Sequence, residues 1–169
     1  NHLDTIKLFF KYGLCKIPYS TIFRYNRLEI LKLYLKHNEV NYELFYEAIQ
    51  LGSTRLLKYL YFNTKHDFKI KGNIHIIGSA IHSKKFSCFK FCVEQGASMD
   101  QSDVNTAIIT KNIPILECLV THGLTIKLKH LTQIEDLSFL IRIHNKFENH
   151  IEIDSMTGYI INYNEKYHC

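Results

Sequence analysis

The chain has 169 residues, 46% of them hydrophobic and 22% charged, a globular balance that excludes intrinsic disorder and leaves enough length to bury a sizeable core. No run approaches the roughly 18 consecutive apolar residues of a membrane span, and no basic-then-apolar signal peptide opens the sequence. The net charge of +5 is a modest excess, and 17 of the 21 basic residues are lysine, a weaker sign of bidentate phosphate recognition than arginine.

Helical spacing of apolar residues predicts a helix over Asn1 to Tyr12, stopped by Gly13. Pro18 suits the start of the next short helix, and Arg27 to His37 forms its partner. Tyr42 to Leu51 and Thr54 to Phe62 make a further pair, with Phe45 and Ala48 facing inward. The polar segment Thr64 to Asn73 ends in a glycine–asparagine turn signal and has room for a full turn or a short hairpin. Ile74 to Ser83 and Phe86 to Gln95 follow as a pair. Phe86, Phe89, Phe91, Cys92 and Val93 mark the buried face of the second helix, and Gly96 its stop. Asp100, Ser102 and Asp103 offer oxygens to cap a helix running to Thr110, and Pro114 lies in the first turn of the next one. Leu131, Ile134, Leu140, Ile143 and Phe147 suggest a sixth pair, with Ser138 near the start of its second helix. Ile151 to Cys169 matches no unit, and Tyr159 to Tyr163 reads as a capping helix or a loose tail.

These helices share one register. Thirteen-residue blocks begin at Asn1, Asn26, Gly52, Lys84 and Lys111, so the starts lie 25, 26, 32 and 27 residues apart. Position six is Ile6, Leu31, Leu57, Phe89 and Leu116, and position nine is Phe9, Tyr34, Leu60, Cys92 and Leu119. Position three is Leu3, Leu28, Thr54, Phe86 and Ile113. Position thirteen is Gly13, Asn38, Thr64, Gly96 and Gly123. Four residues before each internal start stands a small/apolar pair: Ile22-Phe23, Ala48-Ile49, Ala80-Ile81 and Ala107-Ile108. That pair falls where a short first helix packs closely on the second. A helix–turn–helix unit cannot bury its apolar face alone, so such units stack.

The tract from Ala48 to Leu60 resembles the A-A-x-x-G-H-L-E-V-V-K-L-L core of ankyrin repeats. Gln95 to Asp100 resembles that family's x-G-A-D-V-N turn, and Ile17 to Ser20 stands where it has its T-P-L-H turn. The resemblance covers roughly residues 1 to 123, with the sixth unit extending it to about Phe147. It implies an all-α fold, an α-solenoid of stacked helix–turn–helix repeats. Family repeats run about 33 residues, so the shorter spacings here predict reduced turns. We expect an array over residues 1–147, its first unit truncated, and a C-terminal cap or tail over 148–169. The chain opens in mid-pattern, and we expect it to be a piece of a longer array. The wording is similar to divergent arrays of large DNA viruses and protists.

The resemblance implies a non-enzymatic scaffold that binds a protein partner, without cofactor or metal, as a monomer away from membranes. Its contact positions are the two residues after each small/apolar pair and those just before the first helix. Here these are Arg24, Tyr25, Gln50, Leu51, His82, Ser83, Ile109 and Thr110, with Lys16, Tyr42 and Gln101 on the turns. If the array is viral, the resemblance suggests engagement of host proteins in the host-cell cytoplasm.

Other chemistry has little footing in the residues. The glycines are isolated, with no phosphate-binding loop. Cys88 and Cys92 lie four apart near His82, yet there is no C-x-x-C, and Cys92 fills a repeated apolar position. No nucleophile turn surrounds Cys15 or Cys169, and no pair of carboxylates stands out, so we expect no enzyme. Five cysteines, an odd number with three at or beside core positions, favour a reducing compartment, cytoplasmic or nuclear. The alternative function is binding to nucleic acid or an acidic surface through a lysine row at position seven, namely Lys7, Lys32, Lys58 and Lys90. Asp4, Glu29 and Glu117 share those second helices, which favours a plain solvated face.

Overall fold

The structure, a computed structural model, describes residues 2–12, 18–64 and 76–152. The chain is mostly helical and divides into two compact units, Asn1–Met99 and Asp100–Cys169.

In the first unit the helices are α1 (His2–Lys11), α2 (Tyr19–Arg24), α3 (Leu28–His37), α4 (Tyr42–Gln50), α5 (Thr54–Asn63), α6 (Ile76–His82) and α7 (Phe86–Glu94). The short first helices pack side by side, α4 against both α2 and α6, while α1 packs on α3 and α5 on α7. Within a pair, α2 meets α3, α4 meets α5 and α6 meets α7. The sequence places these boundaries to within one or two residues, the ordinary fraying of helix ends. Pro18 is the residue before α2, not its first residue. The connection Asn38 to Asn41 carries no strand, as a reduced turn requires, and Asn41 caps α4 by accepting from the Leu44 amide at 3.1 Å. The expected turn or hairpin over 64–73 lies almost wholly outside the described residues.

The turn between paired helices is the repeated device of this fold. Block position one adopts a left-handed backbone at Asn26 (φ 50°), Gly52 (φ 63°), Lys84 (φ 56°) and Lys111 (φ 55°). Each donates its amide back to the second residue of the small/apolar pair: Asn26 to Phe23, Gly52 to Ile49, Lys84 to Ile81 and Lys111 to Ile108, at 2.9–3.1 Å. The next residue donates to the first of the pair, as Arg27 to Ile22, Ser53 to Ala48 and Asn112 to Ala107. These are two-bond Schellman caps, which reverse the chain and satisfy carbonyls at the helix end. Their geometry holds the small/apolar pair against the second helix, and all eight pair residues are buried.

The core columns are positions six and nine, with position five added. Leu31, Leu57, Phe89 and Leu116 are buried, as are Tyr34, Leu60, Cys92 and Leu119. Leu56, Cys88 and Ile115 at position five are fully buried too. Position three is shallower than its apolar pattern implies. Leu28, Thr54 and Ile113 are half-buried, and Phe86 is 40% exposed. Position three opens the second helix beside the turn, where only one side of the residue meets protein. Val93, assigned to the buried face of α7, is also only half-buried.

The second unit holds α8 (Gln101–Ile109), α9 (Ile113–Thr121), β1 (Ile126–Lys127), α10 (Leu128–Leu131), α11 (Leu137–Phe147), a 3-10 turn at Glu148–His150 and β2 (Ile151–Glu152). Asp100 and Asp103 form a reciprocal capping box at the start of α8. The expected sixth pair takes the form of a one-turn α10 and a full α11, with Leu131, Ile134, Ile143 and Phe147 buried and Leu140 half-buried. Phe139, which the sequence reading left out, is buried as well. The pairing of β1 with β2, parallel with Ile126 opposite Ile151, is a second feature that an all-helical reading does not foresee. The segment Tyr159 to Tyr163, read as a capping helix or a loose tail, lies outside the described residues. Among those described, no helix is long and apolar enough to cross a membrane.

Candidate functional site

The candidate contact positions follow directly from the caps. The small/apolar pair is locked inward, so the residue after it leaves the helix end pointing away from the core. Arg24, Gln50, His82 and Ile109 occupy that place in four successive pairs, and all four are exposed. Ile109 is 62% exposed despite being apolar. The following residue is more variable. Tyr25 is 64% exposed, whereas Leu51, Ser83 and Thr110 are half-buried.

Several of these side chains already have internal work. The Ser83 hydroxyl donates to the Ala80 carbonyl at 2.7 Å and accepts from the Lys85 amide at 3.3 Å. Thr110 donates to the Thr106 carbonyl at 2.8 Å. Gln101 donates its amide to the Thr125 carbonyl. Gln50 reaches the Tyr46 hydroxyl at 3.0 Å, which keeps its amide at the surface beside an aromatic ring. Tyr42 stands exposed at the start of α4, one turn before Tyr46, which is exposed on the same helix face. Lys16 lies outside the described residues. In the first unit, the packing of α2, α4 and α6 sets Arg24, Tyr25, Gln50 and His82 along one row of helix ends.

The lysine row of the second helices has a different character. Lys7 pairs with Asp4 at 3.1 Å, Lys32 with Glu29 at 2.8 Å and Lys90 with Glu94 at 3.8 Å. Lys32 also lies 5.9 Å above the Tyr59 ring, and Lys58 lies 5.4 Å above the Phe91 ring. These last two contacts run from position seven of one unit to position eight of the next, a side-by-side relation that tethers neighbouring second helices. The acids that share these helices hold three of the row's ammoniums.

Two polar contacts lie within or at the edge of the first unit's core. Tyr34 donates its hydroxyl to Tyr19 at 3.1 Å with the rings edge to face, and burial followed by that contact pushes the Tyr34 phenol up to about 12. Cys88 and Cys92 are buried one turn apart, and Cys88 lies 3.9 Å from the Ile49 carbonyl. The hydrogen bond with Cys88, together with burial, pushes the Cys92 thiol well above its ordinary range. A thiol held protonated in this way packs as a small apolar group and not as a nucleophile.

In the second unit a cleft of about 470 Å³ is lined by Ile108, Ile109, Lys111, His130, Asp136 and Phe139, among others. Lys111 bonds Asp136 at 2.6 Å and lies 5.9 Å above the Phe139 ring. Lys111, then the Ser138 hydroxyl and the Phe139 amide, hold the Asp136 carboxyl well below the usual carboxylate range. His130 is buried on α10, where its Nδ1 accepts from the Lys127 amide at 3.3 Å. Burial and then the Lys129 and Lys127 charges lower its pKa, so the ring is neutral. Sequence reading had no hold on this cleft, because α10 is a single turn and its only advance signal was the apolar spacing of Leu131 and Ile134.

Among the described residues no three histidine, cysteine or acidic side chains come together as a metal-ligand set. Cys118 and His122, four apart at the C-terminal end of α9, also converge, with Sγ and Nδ1 separated by 3.7 Å. The four-residue spacing on a helix is the signal that would have found it, and the sequence reading did not use it.

No protein-family model, no curated protein and no solved structure matches this chain.

Proposed function

We propose that the chain is a non-enzymatic scaffold of ankyrin-like helix pairs, which binds a protein partner through the exposed ends of its first helices and the adjoining turns. The observation that carries this reading is the contrast between two adjacent register positions. The small/apolar pair is buried and wholly apolar in the four units that carry it. The residue that follows it is exposed in all four and chemically different in each: Arg24, Gln50, His82 and Ile109. A uniform inner column with a varied outer one is what a stacked array needs to present a specific surface on a common frame. Exposed Tyr25, next to Arg24 in the chain, and exposed Tyr42 at the start of α4 are of the side-chain type that dominates protein interfaces, since tyrosine offers large rigid contact area at low entropic cost.

Binding is then recognition without covalent chemistry. The alternative, a phosphate backbone tracked by the position-seven lysines, is less well supported. Three of those ammoniums face acids on their own helices, so part of their charge is already compensated. A photoreactive residue placed at Tyr25 should cross-link a discrete protein in a cell lysate, and the same residue placed at Lys90 should not. Cross-linking of nucleic acid at Lys90, with none at Tyr25, would reverse the choice.

A further inference from the structure

We propose that the cleft of the second unit seats a bulky apolar side chain of the protein partner, followed in the partner's chain by a basic residue. This rests on the scaffold reading above and names what the unit would recognise. The cleft coincides with a contact position, because Ile109 lines it. The same register position is polar in the other three units, at Arg24, Gln50 and His82, whereas here it is an isoleucine left 62% exposed. Below Ile109 the floor is apolar: Ile108, Ile134 and Phe139 are each less than a tenth exposed. An exposed apolar residue at the mouth of a cleft with an apolar floor is the arrangement that an apolar anchor completes. A volume of about 470 Å³ gives room for an aromatic ring beside Phe139.

The polar groups set the rest of the occupant's chemistry. His130 lines the cleft, and its Nδ1 accepts from the Lys127 amide at 3.3 Å. The ring proton is then on Nε2, a donor for a backbone carbonyl of the occupant. On the rim, Lys111 and Asp136 compensate each other at 2.6 Å. Glu135, also on the rim, is exposed and has no ion-pair partner among the described residues. Lys127 and Lys129 bear on His130 but do not line the cleft. With Glu135 and Asp136 set against Lys111 and the imidazole neutral, the mouth carries an uncompensated negative charge. A lysine or arginine next to the anchor complements that charge, and an acidic residue is repelled by it.

The test is an NMR titration of the intact chain, labelled at its isoleucine methyls, with acetyl-phenylalanyl-arginine amide. Ring-current shifts should appear at Ile109 and Ile134 and should saturate. Acetyl-phenylalanyl-glutamate amide should bind about fivefold more weakly, the effect of one exposed charge pair. Acetyl-alanyl-arginine amide, which lacks the anchor, should give no saturable shift. Glu135→Gln should narrow the gap between the arginine and glutamate peptides, and Ile109→Ser should weaken both, in chains with the parent's circular dichroism. Absence of saturable shifts at both isoleucines, or equal binding of the arginine and glutamate peptides, overturns the assignment. The titration involves neither a lysate nor Arg24, Tyr25 and Tyr42, so its failure leaves the scaffold reading standing. Failure of capture through those three residues would in turn leave the result at the cleft unchanged.

Discussion

Ser53 donates its hydroxyl to the Phe23 carbonyl at 2.7 Å, a buried bond between residues 30 positions apart. The acceptor belongs to the buried pair of one unit, and the donor sits in the turn of the next. Ser53 thus ties two successive helix pairs together at the point where both chains reverse. Ser53→Ala should destabilise the chain by about 1–2 kcal/mol, the usual effect of removing a buried hydrogen-bond partner. Urea unfolding should show a lower midpoint with an unchanged slope. An unchanged midpoint would mean that the tie contributes nothing.

The left-handed turn residues make opposite predictions at two positions. Lys84 holds a φ of 56° that a side chain disfavours, and Lys84→Gly should raise stability by about 0.5–1 kcal/mol once the looser unfolded chain is counted. Gly52→Ala should lower it by about 1–2 kcal/mol, because φ is 63° there and a Cβ would overlap the Lys85 side chain. Thermal unfolding of both variants beside the parent checks the sign of each.

Acid should weaken the second unit through His130. Its folded pKa is depressed, so the unfolded chain binds the proton more readily. The associated stability is complete above the ordinary value of 6.5 and is lost as pH falls through the folded pKa. Asp136 stays ionised until well below 3.8, so its own stabilising contribution disappears only in stronger acid. Unfolding followed from about pH 7.5 down to about pH 5 should show stability falling, and His130→Gln should flatten that dependence. An unaltered slope in the variant would assign the effect elsewhere.

Asp100 accepts from the Ser102 amide at 2.8 Å, and its own amide donates to buried Asp103 at 2.9 Å. Asp100→Ala should cost about 1–2 kcal/mol through the lost cap. The loss should appear as faster amide exchange in the first turn of α8.

The register was legible because a few positions carry strong signals. Leu31, Leu57, Phe89 and Leu116 repeat in one column, and three of the four internal pairs begin with alanine. The backbone role of position one was hidden by its residues. Asparagine and glycine advertise a left-handed turn, but Lys84 and Lys111 do not, and only the folded turn shows that the same conformation is imposed on all four. Position five escaped notice because the buried stripe is wider than a minimal seam, as at Cys88 and Ile115. The β1–β2 pairing joins two-residue segments 25 positions apart, too short and too distant for any local pattern to reveal. The candidate surface was legible as positions but not as roles. The sequence cannot show that Ser83, Thr110 and Gln101 spend their polar groups inside the fold while Arg24, Tyr25 and Ile109 face outward.

The most direct measurement is affinity capture from a cell lysate, with and without nuclease, at low and moderate salt. Protein binding by the first-helix ends predicts discrete proteins that persist after nuclease and salt. Those proteins should be lost when Arg24, Tyr25 and Tyr42 are replaced by alanine in a chain with unchanged circular dichroism. Capture that vanishes with nuclease, or that collapses with salt and survives those three substitutions, would contradict it and assign binding to the lysine row.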